Sequence, residues 1–442
     1  MTAPIVTPVA DPYTLDHGST GYRVDRYELD LDVRLGSNKL IGKAVLRCTA
    51  LEATSRLVLD LVGLRASKIQ LDGKKIPKFS HRAEHLVLTP ASSLQPGQQF
   101  TLEVRYDGNP QPRRGLWGEV GWEELNDGVL VAGQPNGAAS WFPCNDHPRY
   151  KSTFRISVTT DDNYRAVCNG RLVSRSRKSS RETWVYEQSE PMATYLATVQ
   201  IGRYGMLPLN AADTHHRVPQ FAAVPADMAD DARRGLRRQP DMMRTFEDCF
   251  GPYPFADYTS VVTEDELEIP LEAQTVSIFG RNHMRDSWEA QRLIAHELSH
   301  QWFGNSLTVS NWKDIWLHEG FACYAEWLWS EESRTMTVAD RAAAAWKKLA
   351  SAPQDLLVGD PGPSLMFDDR VYKRGALAVH AVRIAAGDEA FFGLLRHWTA
   401  ENRHGSISTE AFLEAAEFFI PGLRAAEILR PWLYEAPLPP LP

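Results

Sequence analysis

The stretch "AHELSHQWFGN", Ala295 to Asn305, sets two histidines four residues apart with a glutamate directly after the first. If it is helical, positions 296 and 300 share one face, because residues four apart on a 3.6-residue repeat point the same way, and Glu297 lies about 100° around. Two imidazoles so placed can chelate one zinc ion, with the adjacent carboxylate near the metal but not on it. Leu293 and Ile294 give the expected helix an apolar start and Gly304 its stop. The alternative at this point is a buried helix whose histidines bond only to backbone.

A structural zinc takes four protein ligands, whereas a hydrolytic one takes three and leaves a place for water. The third ligand is expected from a neighbouring element, and "WLHEGFACYAEWLW" offers Glu319, 19 residues beyond His300 (319 − 300) and near the start of a second helical stretch. The intervening "NSLTVSNWKDIW" is long enough to let the two helices run antiparallel with that carboxylate facing His296 and His300. His318 competes as a donor, but one step along a helix swings it away. With one Zn2+ per chain in place, the pKa of a bound water falls from about 16 toward 7, and Glu297 is placed to take its proton and pass it to a leaving amine. Glu326, seven residues after Glu319 (326 − 319), lies on the same helix face. It either orients a ligand through a hydrogen bond or is a solvated glutamate.

Working outward, the first half of the chain reads as strands. "YELDLDVRL" puts Tyr27, Leu29, Leu31, Val33 and Leu35 on one face, the period of two of a half-buried strand. "FTLEVRY" and "FRISVTT" repeat it, with turn signals at Asp72-Gly73, Pro96-Gly97 and Asn169-Gly170. After "YLATVQIGRYG" the pattern turns helical, interrupted at Pro240, with strand-like pieces at "YTSVVTE" and "TVSIFG". Gly387 ends one helix, Ser408 or Thr409 caps another, and the tail "EAPLPPLP" suits neither helix nor central strand. The expectation is a multi-domain α+β protein, with an all-β domain over residues 1–204 and a mainly helical domain over 205–442. A length of 442 residues suits two or three domains.

Composition excludes several functions. A hydrophobic fraction of 43% with 24% charged residues describes a folded chain rather than a disordered one. A net charge of -8 argues against nucleic-acid and anionic-membrane partners, and the basic run Arg233 to Arg238 is expected to be a solvated helix face. No stretch of 18 or more apolar residues is present, so no membrane-spanning helix is expected. The start "MTAPIVTPVADPY" lacks the basic and apolar regions of a secretory leader. Cys48, Cys144, Cys168, Cys249 and Cys323 are odd in number and scattered, which suits reduced thiols in a cytoplasmic protein. Oligomeric state leaves no readable trace, and a monomer is compatible with everything above.

The joint pattern of His296, Glu297, His300 and Glu319 resembles the aminopeptidase N family of gluzincin metallopeptidases. "SWFPCNDHP", "RRGLWG" and "VYKRGA" are similar to further family elements, so that the likeness runs from about residue 12 to about residue 435. The resemblance implies a saddle-like β domain, a thermolysin-like catalytic domain, and zinc-dependent removal of N-terminal residues from peptides with a free N-terminus. It implies that Tyr372 of "VYKRGA" donates a hydrogen bond to the oxyanion, although a tyrosine there also suits a core. It implies that Glu272 of "IPLEAQ" binds the substrate's α-amine, in a loop that keeps only the glutamate of the family's motif. Pro270 there has no N–H for a bound peptide, and Glu264, Glu266 and Glu268 belong to the same acidic run. Gln134 of "AGQPNGAASWFPC" corresponds to a second amine-binding position, where an amide accepts a hydrogen bond without adding charge; the other reading is an ordinary loop residue. The family's large C-terminal helical domain has no counterpart in the residues given, so a more open cleft and longer peptides are expected. A thermolysin-like endopeptidase and a catalytically silent peptide-binding protein are the alternatives.

Overall fold

The alternation in "YELDLDVRL" builds the strand Tyr22–Arg34, whose Tyr27, Leu29, Leu31 and Val33 are buried while Asp30 and Arg34 face solvent. Leu35 leaves this pattern: the chain tightens there into a short 3-10 turn, Leu35–Ser37, closed by Asn38 in the left-handed region. The computed structural model describes residues 11–210 and 218–442, so most of the N-terminal stretch read for a leader lies outside the described residues. Tyr22–Arg34 pairs antiparallel with Lys39–Ala50, Tyr27 opposite Leu46, and parallel with Lys151–Asp161, Tyr27 opposite Phe154. They form the middle of an eight-stranded sheet ordered Arg171–Lys178, Arg181–Ala193, Lys151–Asp161, Tyr22–Arg34, Lys39–Ala50, Gln99–Gly108, Arg65–Leu71 and Lys74–Lys75. A five-stranded sheet and a three-stranded sheet complete the N-terminal half, which contains no α-helix among its described residues.

The second half is helical around a mixed five-stranded sheet. Gln220–Pro225, Tyr258–Thr263 and Val276–Gly280 run parallel, with Tyr204–Pro208 and the three-residue strand Leu271–Ala273 added antiparallel at the two edges. Nine α-helices are found among the described residues: α1 (Ala229–Gly235), α2 (Gln239–Phe250), α3 (Trp288–Ser299), α4 (Trp316–Glu332), α5 (Val338–Ala350), α6 (Asp369–Ala386), α7 (Asp388–Glu401), α8 (Thr409–Phe419) and α9 (Ala425–Tyr434). Pro240 does not interrupt a helix but begins one: it stands in the first turn of α2, where its missing N–H has no partner to lose. Helix α3 starts five residues before Leu293, capped by the Ser287 hydroxyl, which accepts from the N–H of Ala290, a contribution of about 1 kcal/mol. Gly387 ends α6 and Ser408 caps α8.

Helix α4 is buried at every position from Trp316 to Ser330, as a helix that is apolar nearly all round must be. It crosses α6 where Gly320 meets Gly375. A Cβ on Gly320 would lie 2.9 Å from the Cα of Gly375, so only paired glycines permit this approach. The contact brings the residue before Gly320, Glu319, beside the first turns of α6, which carry Tyr372. A satellite core of Leu130, Val167, Tyr204, Ala223, Val261 and Ile278 joins the N-terminal strands to the second sheet.

Candidate active site

His296 lies in the last turn of α3 and His300 caps its end, while Glu319 occupies the first turn of α4. The Oε2 atom of Glu319 stands 3.4 Å from Nε2 of His296 and 3.5 Å from Nε2 of His300. Three donors about 2.0–2.1 Å from one tetrahedral ion are separated by roughly 3.3 Å, so this group fits a zinc-sized cation. All three side chains are buried.

The other nitrogen of each ring is engaged. Nδ1 of His300 lies 3.0 Å from the carbonyl of Phe303, which only accepts, so this nitrogen carries the proton and Nε2 presents a lone pair. Nδ1 of His296 lies 2.8 Å from Oε1 of Glu326, which resolves Glu326 as a partner of the site, further held by Arg292 Nη1 at 3.3 Å from each oxygen. Outer carboxylates of this kind fix tautomer and ring orientation. His318 faces elsewhere: its Nε2 accepts from the N–H of Val309 at 2.9 Å, and burial pushes it down to about 3.

Glu297 is buried, and its Oε2 has no hydrogen-bond partner in the protein. An unpartnered carboxylate oxygen is expensive in a dry site, and its natural occupant here is a polar group of water or substrate. Burial raises the Glu297 pKa, with Glu319 and Glu326 adding to the effect of burial. Glu272 comes in from the edge strand Leu271–Ala273, close enough to Glu297 and His300 for their polar atoms to fall within 4.8 Å of one another. Burial, with Glu319 and Glu297 nearby, lifts it to about 8. Glu264, Glu266 and Glu268 are exposed and belong to no such group.

Tyr372, on α6, lies with its ring 6.0 Å from that of His296 at 18°. Burial first, then the charges of Glu319, Glu272 and Glu297, push its hydroxyl well above 10 and keep it a donor. Gln134 sits beyond the strand Gly128–Ala132, and its Nε2 is buried without a protein partner. Its neighbour Gly133 packs on the carbonyl of Tyr195, whose phenol feels the charges of Glu272 and Glu319.

The chain is similar to known peptidases. The description "Peptidase M1 N-terminal domain" matches residues 23–196 and "Peptidase family M1 domain" matches residues 235–432. A solved M1 zinc metallopeptidase from Deinococcus radiodurans is 30% identical, with 96% of this chain and 97% of that one superposed at a TM-score of 0.87. A mutant of that enzyme bound to a Tyr-Ser-Ala substrate superposes at 0.88, also at 30% identity over 96% of this chain and 97% of that one. A leucyl aminopeptidase from Saccharolobus solfataricus is 24% identical over 92% of this chain and 54% of its own length. Aminopeptidase Q from Acinonyx jubatus is 28% identical over 68% of this chain and 34% of its own. The chain thus spans between a third and about half the length of these two curated relatives.

Proposed function

Because the chain belongs to peptidase family M1, we propose that it is a zinc-dependent aminopeptidase that removes the N-terminal residue from peptides with a free N-terminus. The observation that carries this reading is the buried triad of His296, His300 and Glu319 with the unpartnered Glu297 oxygen beside it. In this reading the two Nε2 atoms and the Glu319 carboxylate hold one Zn2+. When bound, the zinc supplies Lewis acidity that polarises a carbonyl and acidifies a water.

The remaining roles fall to the chain's own groups. Glu297 takes a proton from the attacking water as its oxygen bonds to the carbonyl carbon, then delivers that proton to the nitrogen as the C–N bond breaks. The Tyr372 hydroxyl donates to the oxygen as it becomes an oxyanion. Glu272 accepts the α-ammonium of the substrate, whose charge favours the ionised carboxylate, and Gln134 adds a neutral acceptor. The strand Tyr204–Pro208 pairs within the second sheet from Tyr204 onward, so the proposed division between residues 1–204 and 205–442 falls one residue from the point where that sheet begins. Free thiols at all five cysteines support work in the cytoplasm, and among the described residues no helix is long and apolar enough to cross a membrane.

Glu297→Gln tests the assignment. Turnover should drop by about 10²–10⁴-fold with zinc content unchanged, because every ligand is intact. A variant that keeps its activity would refute the role of Glu297. Equal cleavage of a peptide and its N-acetylated counterpart by the native enzyme would instead select an endopeptidase.

A further inference from the structure

The turn after Glu272 is held from both sides. Leu271–Ala273 is a three-residue edge strand with one ladder neighbour, Glu272 lying opposite Ser277, and such an edge has little of its own to fix it. The carbonyl of Ala273 accepts from Nε2 of Gln301 at 3.1 Å and from Nδ2 of Asn305 at 3.0 Å, and the N–H of Thr275 donates to Oε1 of Gln301 at 2.8 Å. From the N-terminal half, Asn169 Nδ2 donates to the carbonyl of Gln274 at 2.7 Å and the N–H of Gly170 donates to the Thr275 hydroxyl at 2.9 Å. Asn169, Gln301 and Asn305 are fully buried.

Two further observations show that this network constrains rather than merely fills. Thr275 has φ +66°, a region that β-branched residues avoid and that persists only when the surroundings over-determine it. Lys151, from the N-terminal half, donates its Nζ to the carbonyls of Asn305 at 2.9 Å and Ser306 at 2.7 Å, so that the turn carrying Asn305 is pinned from behind. That turn also carries His300, whose carbonyl accepts from the N–H of Asn305 at 2.9 Å. The donors that locate Glu272 and one of the histidines facing it therefore share one short loop.

We propose that Gln301 and Asn305, backed by Asn169 and Lys151 of the N-terminal half, are positioning residues that hold the Glu272 carboxylate in register with His300 and so set the enzyme's selectivity for a free α-amine. The inference rests on the reading of Glu272 as the amine anchor. Misplacing a binding group by about 1 Å costs on the order of 10²-fold, and the edge strand alone gives no such precision.

The test uses zinc-loaded full-length enzyme, an alanyl peptide amide and its N-acetylated counterpart. Gln301→Met keeps the size and removes both amide bonds. It should lower the preference for the free amine at least tenfold, through a higher KM for the free-amine substrate rather than a lower kcat. Asn305→Ala, which removes one of the two bonds to Ala273, should show a smaller shift of the same kind. Thr275→Gly, which suits φ +66° but loses the Gly170 contact, should do likewise if Gln301→Met fails to fold. An unchanged preference in these variants, or an equal loss in kcat for both substrates, would overturn the proposal. Glu272→Gln separates the two levels. If it abolishes the preference while Gln301→Met does not, the network fails and the anchor stands; if it has no effect, the anchor reading falls and the network with it.

Discussion

Replacing Glu326 isolates the part of the metal centre that lies outside the ligands. Its Oε1 accepts from Nδ1 of His296 at 2.8 Å in a pocket where Glu326 is 8% exposed. A buried hydrogen bond to a charged acceptor contributes about 1.5–3 kcal/mol, and loss of an outer partner of a ligating histidine costs about 10–100-fold in metal affinity or activity, or about 1.4–2.7 kcal/mol. Arg292 shares the carboxylate from a 41% exposed position, 3.3 Å away, and draws off part of its charge. The lower half of the range follows for Glu326→Ala: zinc affinity weaker by roughly 10–30-fold. Glu326→Gln keeps an acceptor oxygen and loses the charge, so a change of about threefold is expected. Competition with a fluorescent chelator measures both. Affinity of the alanine variant within twofold of native would refute the reasoning, as would a glutamine variant that binds zinc less tightly than the alanine one.

Tyr372→Phe should lower kcat by about 10²–10³-fold with KM nearly unchanged, since the hydroxyl acts on the oxyanion and not on bound substrate; a loss confined to KM would remove it from that role. Gly320→Ala gains about 1 kcal/mol of helix propensity, but its methyl group meets the Gly375 backbone at 2.9 Å. Overpacking of about 1–3 kcal/mol should win, giving a lower urea midpoint together with reduced kcat as α6 and Tyr372 move; a stabilised variant would contradict the crossing. Asp146 is buried, and burial raises its pKa from 3.8 to about 6. A raised folded-state pKa makes its contribution most favourable below pH 3.8 and removes it as pH climbs through about 6. Asp146→Asn should therefore gain on the native enzyme across this window, by about 3 kcal/mol at most. Unfolding measured from pH 4 to 8 checks this, and a difference independent of pH would refute it.

The legible parts of the molecule follow local rules. Period two exposed the strand Tyr22–Arg34, and a four-residue spacing placed His296 and His300 on one helix face; neither depends on distant residues. The second sheet was visible only as "YTSVVTE" and "TVSIFG"; its edge piece Leu271–Ala273 has three residues, too few to show a period. Pro240 misled for a positional reason, since the same ring that breaks a helix interior suits its first turn. Glu326 could be placed on the face of Glu319, but periodicity does not say what faces that helix.

What the sequence conceals is the contact between distant segments. Gly320 and Gly375 each look like an ordinary helical glycine, and only their mutual approach explains why α4 can bring Glu319 against α6. Gln301 and Asn305 lie inside the motif that revealed the histidines, yet local reading gives that segment no more than a helix end. Their amides reach 28 and 32 residues back to Ala273, while Lys151 arrives 154 residues away from Asn305. Catalysis by proton transfer needs only the neighbourhood of Glu297, which helical spacing supplies. Selection for a free amine through Glu272, as proposed, needs an acid on a separate edge strand held to the same precision, and that burden would fall on buried amides whose partners no spacing rule identifies. On the proposed reading of Glu272, the N-terminal half serves selectivity as well as the fold: without Asn169 and Lys151, the turn after Glu272 and the loop after His300 lose the contacts that bind them to one frame.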